Sequence, residues 1–295
     1  MISITDSMTT AERRALQQIT TADGRFAVIA ADHGQPLVDM LDALGVSSAP
    51  EEQLAFKGDL VDTVGRDASA MLLDPDVSLP AIVDRGLLAR DVGLLVRIEA
   101  DGHDDVDGLR QSNLIDGLGA RGARERGGTA AKVMVFARAD REDLDGHAAQ
   151  VTRAALEDCA AADLLCVMEL MTYPLEGETR EQFAARKEDL VVEGAVLLQE
   201  CGAKVLKLEY PGTEHGCRRV TDAIGVPWAV LSAGVDHAAF CDQLRASMAG
   251  GAQGFIAGRS LWKEAVGRPA AERRAFLEGE GRRRMDEMLR IASAT

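Results

Sequence analysis

Two lysines and several carboxylates stand at the ends of apolar runs in this chain, and they are the residues able to do chemistry. Lys207 lies in the stretch VLKLEYP (residues 205–211), between Leu206 and Leu208, and Pro211 stops the run. Burying an ammonium group strips its hydration and costs free energy. A desolvated lysine is pushed toward its neutral form, which is a nucleophile toward carbonyl carbon. The alternative is a lysine at a strand end that reaches solvent, the commoner fate of this residue type.

Other apolar runs end in the same way. Asp32 and His33 follow the first, Asp74 the second, and Arg97 and Glu99 the third. Lys132 sits in the fourth with Arg138 after it, Glu169 is in the fifth, and Glu209 follows Lys207 in the sixth. Each has an ordinary explanation: Asp32 or Asp74 as a turn cap, Lys132 as a structural partner of Glu169 or a side chain pointing outward. Together they place more charge at one set of strand ends than packing requires. The seventh run ends in Ser232, Ala233 and Gly234, the eighth in Gly258 and Arg259. Small residues let backbone N–H groups approach an anion, and Arg259 adds charge and a fork of donors. Glycines that only turn the chain are the alternative for each loop, but the two loops together favour phosphate. A phosphate site beside a desolvated lysine and a general acid/base points to Schiff-base chemistry: an amine condenses with a ketone, the iminium draws off electrons, and a C–C bond breaks. No metal or other cofactor is expected. The five histidines (His33, His103, His147, His215, His237) are dispersed, and His103 near Asp105 is a weak ligand pattern.

The elements that must position these residues alternate regularly. Strands are expected at 26–32, 70–74, 92–98, 131–136, 164–170, 204–210, 228–231 and 254–257. Helices are expected at 9–20, 50–61, 79–88, 142–162, 180–201, 214–224 and 236–249, with more over 261–293. Short apolar strands alternating with helices require a parallel sheet covered by helices. Eight such units predict an α/β chain folded as a (β/α)8 TIM barrel, one domain over 1–295 with its core at about 26–265, an extra N-terminal helix and C-terminal helices. A doubly wound open sheet is the runner-up, but no Gly-x-Gly-x-x-Gly follows the first strand. In a barrel all the polar residues above fall at one face, the C-terminal ends of the strands.

Composition narrows the partners. The chain has 295 residues, 46% of them hydrophobic, so it can bury a large core, and with 4% aromatics that packing must be aliphatic. A formal net charge of −15 argues against a nucleic-acid or anionic-membrane surface. Five scattered cysteines without a CxxC pair suggest free thiols in a reducing compartment. The first residues lack a basic region followed by an apolar run, and no stretch approaches membrane-spanning length. A cytoplasmic protein is expected, with a small-molecule substrate and no nucleic-acid or membrane partner. A homo-oligomer is also expected; 261–293 could serve an interface, although core packing explains its apolar positions equally well.

The stretches FAVIAAD (26–32), MLLDPD (71–76), AKVMV (131–135), MELMTY (168–173), VLKLEYP (205–211), VPWAVLSAGV (226–235) and GFIAGRSLW (254–262) carry a further signal. In combination they resemble the bacterial class I aldolases of the tagatose 1,6-bisphosphate aldolase type and their relatives, the sulfofructosephosphate aldolases of sulfoquinovose breakdown. The resemblance runs from about residue 26 to 267. It implies a Schiff base on Lys207, proton shuttling by Glu169, substrate oxygens held by Lys132, and hydroxyls or the imine oriented by Asp32. It further implies that Ser232, Ala233, Gly234, Gly258 and Arg259 hold the 1-phosphate of a ketose sugar phosphate; Asp74, Arg97 and Arg138 join the expected substrate-binding set by their place at the strand ends alone. The implied products are dihydroxyacetone phosphate and a three-carbon aldehyde. The implied substrate is most like 6-deoxy-6-sulfofructose 1-phosphate, giving sulfolactaldehyde. Tagatose or fructose 1,6-bisphosphate, another phosphorylated sugar, and a barrel that binds sugar phosphate without catalysis are the alternatives. One departure stands out: the family usually reads Asp-Gln-Arg after its first strand, whereas this chain reads Asp32-His33-Gly34. The missing arginine leaves the C6 group open, and Arg97 or Arg138 is the expected replacement cation.

Overall fold

The computed structural model describes residues 7–294. The expectation that residues 1–6 carry no export signal lies outside the described residues. The strands in chain order are β1 (Phe26–Ala30), β2 (Ala70–Leu73), β3 (Gly93–Arg97), a short pair β4 (Asp104–Val106) and β5 (Leu109–Gln111), then β6 (Ala130–Phe136), β7 (Leu165–Met171), β8 (Leu206–Leu208), β9 (Trp228–Leu231) and β10 (Gly254–Ala257). Eight of them, all but β4 and β5, close a barrel in chain order, with β10 pairing to β1. The helices are α1 (Thr10–Gln18), α2 (Gln35–Ala43), α3 (Pro50–Asp62), α4 (Ala81–Asp84), α5 (Gly119–Glu125), α6 (His147–Ala161), α7 (Arg180–Glu200), α8 (Glu214–Ala223), α9 (His237–Ala249), α10 (Arg259–Trp262), α11 (Ala270–Phe276) and α12 (Arg282–Ser293). Among the described residues no helix is long and apolar enough to cross a membrane, and all five cysteines are free.

Strand alternation sorts the core into two shells. Ala131, Val133, Met168, Leu170, Leu206, Leu208 and Val230 point out and pack under the helices. Phe26, Val28, Ala70, Leu72, Leu95, Ala130, Leu165, Val167, Val205, Ala229 and Ile256 point in and fill the barrel. Each large aliphatic side chain buried this way contributes about 1.5–3 kcal/mol, which offsets the cost of the charged layer above it.

Helix α1 plugs the opposite end. Its Ala15 and Leu16, with Met8 and Ile19, join the interior cluster. Thr9 and Glu12 form a reciprocal capping box that starts the helix, and Glu12 also ties to Lys204 at 2.7 Å, just before β8. Gly93 lets β3 begin against this plug, since a Cβ there would stand 2.6 Å from the Gln18 carbonyl oxygen.

Three local differences from the sequence reading have simple causes. Helix α2 was not expected, because a Gly34–Pro36 start resembles a turn; proline is nonetheless well placed in a first helical turn. The helix expected over 79–88 shrinks to α4. The loop after β3 contains the β4–β5 hairpin, turned by Asp107 and Gly108 at φ 52° and 78°. Asp-Gly is a strong two-residue hairpin signal, but the flanking residues are too polar to read as strands.

Two expected substrate-binding residues are corrected. Asp74 continues the inward alternation of Ala70 and Leu72, but β2 stops at Leu73 and the phase is lost. Its carboxylate instead pairs with the fully buried Lys57 of α3 and accepts from the Val77 amide at 2.7 Å. Arg138 is fully buried between Asp140 (2.8 Å), Glu178 (2.6 Å) and the Tyr173 carbonyl (3.0 Å), so it fastens the loop after β6 to the loop after β7. Asp74→Ala leaves the Lys57 ammonium buried and unpaired, and is expected to cost about 3–5 kcal/mol in urea unfolding. Adding Lys57→Met should restore most of that loss; equal losses in the single and double variants would refute the pairing as its cause.

Candidate active site

A cavity of about 330 Å³ opens at the C-terminal ends of the barrel strands. Sheet register decides which side chains meet there. In the pairing of β7 with β8, Glu169 stands beside Lys207, and in the pairing of β6 with β7, Met134 stands beside Glu169. Neighbouring strands lie about 4.8 Å apart, so inward side chains on adjacent strands touch. Lys207 Nζ and Glu169 Oε1 accordingly lie 2.9 Å apart, both buried. Lys132 pairs with Arg97 and Val167, one layer deeper. Its ammonium reaches up to Asp32 (2.8 Å), Glu169 (3.3 Å) and Glu99. Lys132 therefore points inward and not out, and Glu169 links both lysines.

Charge compensation sets the protonation states. Burial alone would raise the Asp32 carboxyl, but Lys132 and Lys207 overcome it and hold the group well below the usual carboxylate range. Glu169 behaves alike: burial raises it, and Lys207 and Lys132 together bring it below its ordinary value. Burial works against the Lys132 ammonium, yet Asp32, Glu99 and Glu169 hold its proton more tightly than usual. Burial, opposed by Asp32, takes the His33 imidazole down to about 3, so it is neutral. Its ring packs edge-on against Trp262, 5.2 Å between centroids.

Glu99 is different. Burial pushes its carboxyl up to about 7, against the pull of Lys132 and with Asp32 adding to the rise. Its Oε2 has no hydrogen-bond partner among the described residues, and the side chain lines the cavity. It is a carboxyl able to hold or release a proton near neutrality.

The two ends of the cavity differ. Ser232, Ala233, Gly234, Gly258 and Arg259 line one end. Ala233 and Gly234 both adopt left-handed φ (47° and 78°), a strained choice for alanine that turns the loop over the Arg259 side chain. A Cβ on Gly234 would lie 3.2 Å from the guanidinium carbon. Burial lowers the proton affinity of Arg259, with Asp32 and Glu169 offsetting part of it. Met134, Phe136, Met171, Arg97 and Asp101 line the other end. Arg97 is thus in the cavity, but it is bound to Asp101 on the following loop by both guanidinium arms, one at 3.3 Å.

Asp101, Met134, Phe136, Met171, Gln35 and Asp39 also line the cavity and were not singled out from sequence. Met134 and Phe136 could have been found, since period 2 from Lys132 leads to both; Met171 follows from Glu169 in the same way. Asp101 and Asp39 could not, because loop and helix geometry places them. The described residues also hold one close trio of potential metal ligands, His237, Cys241 and Glu287, where α9 meets α12 and outside the cavity lining.

Glu99 gives a testable pH dependence. Between about pH 4.5 and 7 the folded chain keeps a proton on Glu99 that the unfolded chain has lost. Stability should therefore fall as pH rises through this window, by on the order of 3 kcal/mol from this group. In Glu99→Gln this downward contribution is lost while the opposing one from the neutral His33 imidazole remains, so urea midpoints measured from pH 5 to 7 should shift toward rising with pH relative to the unaltered protein. An unchanged slope would remove the elevated carboxyl from the account.

Residues 29–264 match the family model described as "DeoC/LacD family aldolase". The chain is 27% identical to tagatose 1,6-diphosphate aldolase 2 of Enterococcus faecalis, with 98% of this chain and 96% of that protein covered. It is 25% identical to the tagatose 1,6-diphosphate aldolase of Lactococcus lactis subsp. lactis, with 98% and 97% covered. Among solved structures, an archaeal fructose 1,6-bisphosphate aldolase superposes with a TM-score of 0.66 at 16% identity, covering 96% of this chain and 99% of that one. Another, whose catalytic lysine carries a carbinolamine intermediate, gives 0.62 at 14%, covering 93% and 98%; both establish likeness of fold. The family match over most of the barrel, on top of the lysine and carboxylate cluster, identifies this chain as a member of the DeoC/LacD family of aldolases.

Proposed function

We propose that this aldolase cleaves a ketose 1-phosphate to dihydroxyacetone phosphate and a three-carbon aldehyde, through an imine on Lys207. The observation that carries the reading is the 2.9 Å contact between Lys207 Nζ and Glu169 Oε1 inside a closed cavity wall. Glu169 takes a proton from the Lys207 ammonium, and the free amine adds to the ketone carbon C2. The carbinolamine hydroxyl then leaves as water, carrying the proton that Glu169 returns. In the resulting iminium, electrons of the C3–C4 bond move toward nitrogen as a carboxylate removes the proton of the C4 hydroxyl. The aldehyde departs, the enamine is protonated at C3, and water releases dihydroxyacetone phosphate.

Other residues take supporting roles in this proposal. Lys132, held as an ammonium by three carboxylates, binds hydroxyl oxygens and keeps Asp32 and Glu169 ionised. Asp32 orients a hydroxyl or the imine. Arg259 and the Ser232–Gly234 loop receive the C1 phosphate, because Arg259 is a half-buried cation lining the cavity without a carboxylate bound to it among the described residues. The relatives named for tagatose 1,6-diphosphate and the sulfonated hexose expected from sequence share this C1-phosphate half and differ from one another only in the rest of the sugar.

Incubation with dihydroxyacetone phosphate and borohydride should trap a secondary amine on Lys207, located by peptide mass spectrometry and absent in Lys207→Ala. No adduct on any lysine would remove the Schiff-base reading. Glu169→Gln should retain the fold but slow cleavage by about 10²–10⁴, the usual range for loss of a positioned acid/base. Cleavage within a few-fold of normal in that variant would take the proton shuttle away from Glu169.

A further inference from the structure

We infer that the end of the cavity opposite the C1 phosphate is built for an uncharged group, so that the substrate carries a single phosphate and the released aldehyde is neutral. This rests on the ketose 1-phosphate reading above and specifies the other half of the substrate.

Barrel topology separates the two ends. In the order β1-β10-β9-β8-β7-β6-β3-β2, the β9 and β10 loops lie across the barrel from β6 and β3. Arg259 therefore faces Arg97, Met134 and Phe136 over the cavity, with Lys207 and Glu169 on the wall between.

The cations do not serve the two ends equally. Lys132, Lys207, Arg97 and Arg259 line the cavity, against the carboxylates of Asp32, Asp39, Glu99, Asp101 and Glu169. Lys132 is held by three of these and Lys207 by Glu169. Arg97 is held by Asp101, leaving Arg259 as the lining cation with no carboxylate partner among the described residues. A dianion placed at Arg97 would have to displace Asp101. A hydroxyl or methyl group there meets Met134, Phe136 and Met171 and leaves the ion pair intact.

Gly34 makes this pairing possible. A Cβ at position 34 would overlap the Asp101 carboxylate, so the missing side chain is the seat that Asp101 occupies beside Arg97. Arg110 of β5 is the other cation near this wall. Its guanidinium stacks over the rings of Phe136 and Tyr173, at 5.5 and 4.9 Å, and does not line the cavity.

The test runs in the condensation direction, with dihydroxyacetone phosphate as donor and glyceraldehyde, glyceraldehyde 3-phosphate or sulfolactaldehyde as acceptor. The unaltered enzyme should show kcat/KM at least about tenfold higher for glyceraldehyde than for either charged acceptor. Asp101→Asn frees Arg97 and should shift that ratio about tenfold or more toward the charged aldehydes. Gly34→Ala, which drives the same carboxylate away by contact, should shift it in the same direction and guards against a poorly folded Asp101 variant. Parity, or a preference for charged acceptors in the unaltered enzyme, overturns the inference. So does an unchanged ratio in both variants. A preference for charged acceptors that Arg110→Ala abolishes also overturns it, and assigns a distal anion site to the hairpin. Borohydride trapping on Lys207 separates the levels: trapping with the wrong acceptor preference refutes this inference alone, whereas no trapping refutes the ketose-phosphate reading beneath it.

Discussion

The ammonium group of Lys132 holds the upper half of the barrel together. Three carboxylates from three different strands or strand ends, Asp32, Glu99 and Glu169, converge on it inside the protein. Ionised groups taken out of water are costly, and each of these would be unfavourable alone. Gathered around one cation they compensate one another. The cluster keeps Asp32 and Glu169 ionised at this depth, and the proton transfer proposed between Lys207 and Glu169 depends on that. The apolar layers of Phe26, Val28, Leu72, Leu165 and Val167 beneath it, and the plug formed by α1, keep water from entering from below.

Rigidity follows from the same arrangement. Lys207 and Glu169 sit directly opposite each other on paired parallel strands, so their separation is fixed by backbone hydrogen bonds more than by side-chain choice. Strands hold such geometry better than loops do. The residues that line the two ends of the cavity come instead from loops after β9, β10 and β3, where exchange of a residue leaves the lysine and carboxylate cluster undisturbed. Asp101 and Gly34 belong to that second class. Fold and chemistry are thus separable from specificity, as expected of a barrel whose strand ends carry the reaction.

The fold was legible because each strand is a short apolar run bounded by turn residues, and because strands and helices alternate without interruption. Lys207, Glu169, Lys132 and Asp32 were legible as a set once those runs were laid in a barrel. Glu99 stood out only as one strand-end carboxylate among several, since its raised proton affinity depends on burial and neighbours that a sequence does not display. Asp74 misled because the end of an apolar run looks the same whether its carboxylate faces the cavity or, as here, a buried lysine of the next helix. Arg138 misled because a buried arginine at a strand end serves equally well as a loop fastener, and nothing local distinguishes the two. Asp101 was out of reach: its partner Arg97 is four residues away on a strand, and its seat depends on a glycine 67 positions earlier in the chain.

The seam between β1 and β10 has a consequence for how the protein comes into being. Asp32 and His33 follow the first strand, whereas Arg259 follows the last, and only the pairing of Phe26–Ile29 with Gly254–Ala257 brings them to one cavity. During synthesis the amine, its proton acceptor and the carboxylate cluster emerge well before the arginine. A growing or truncated chain can thus carry reactive groups without the site that would anchor a phosphate. On the proposed reading, phosphate anchoring is then a property of the finished ring alone. A ligand that needs Arg259 will favour the closed barrel over every opened form by mass action, so substrate acts on this chain as a clasp as well as a reactant.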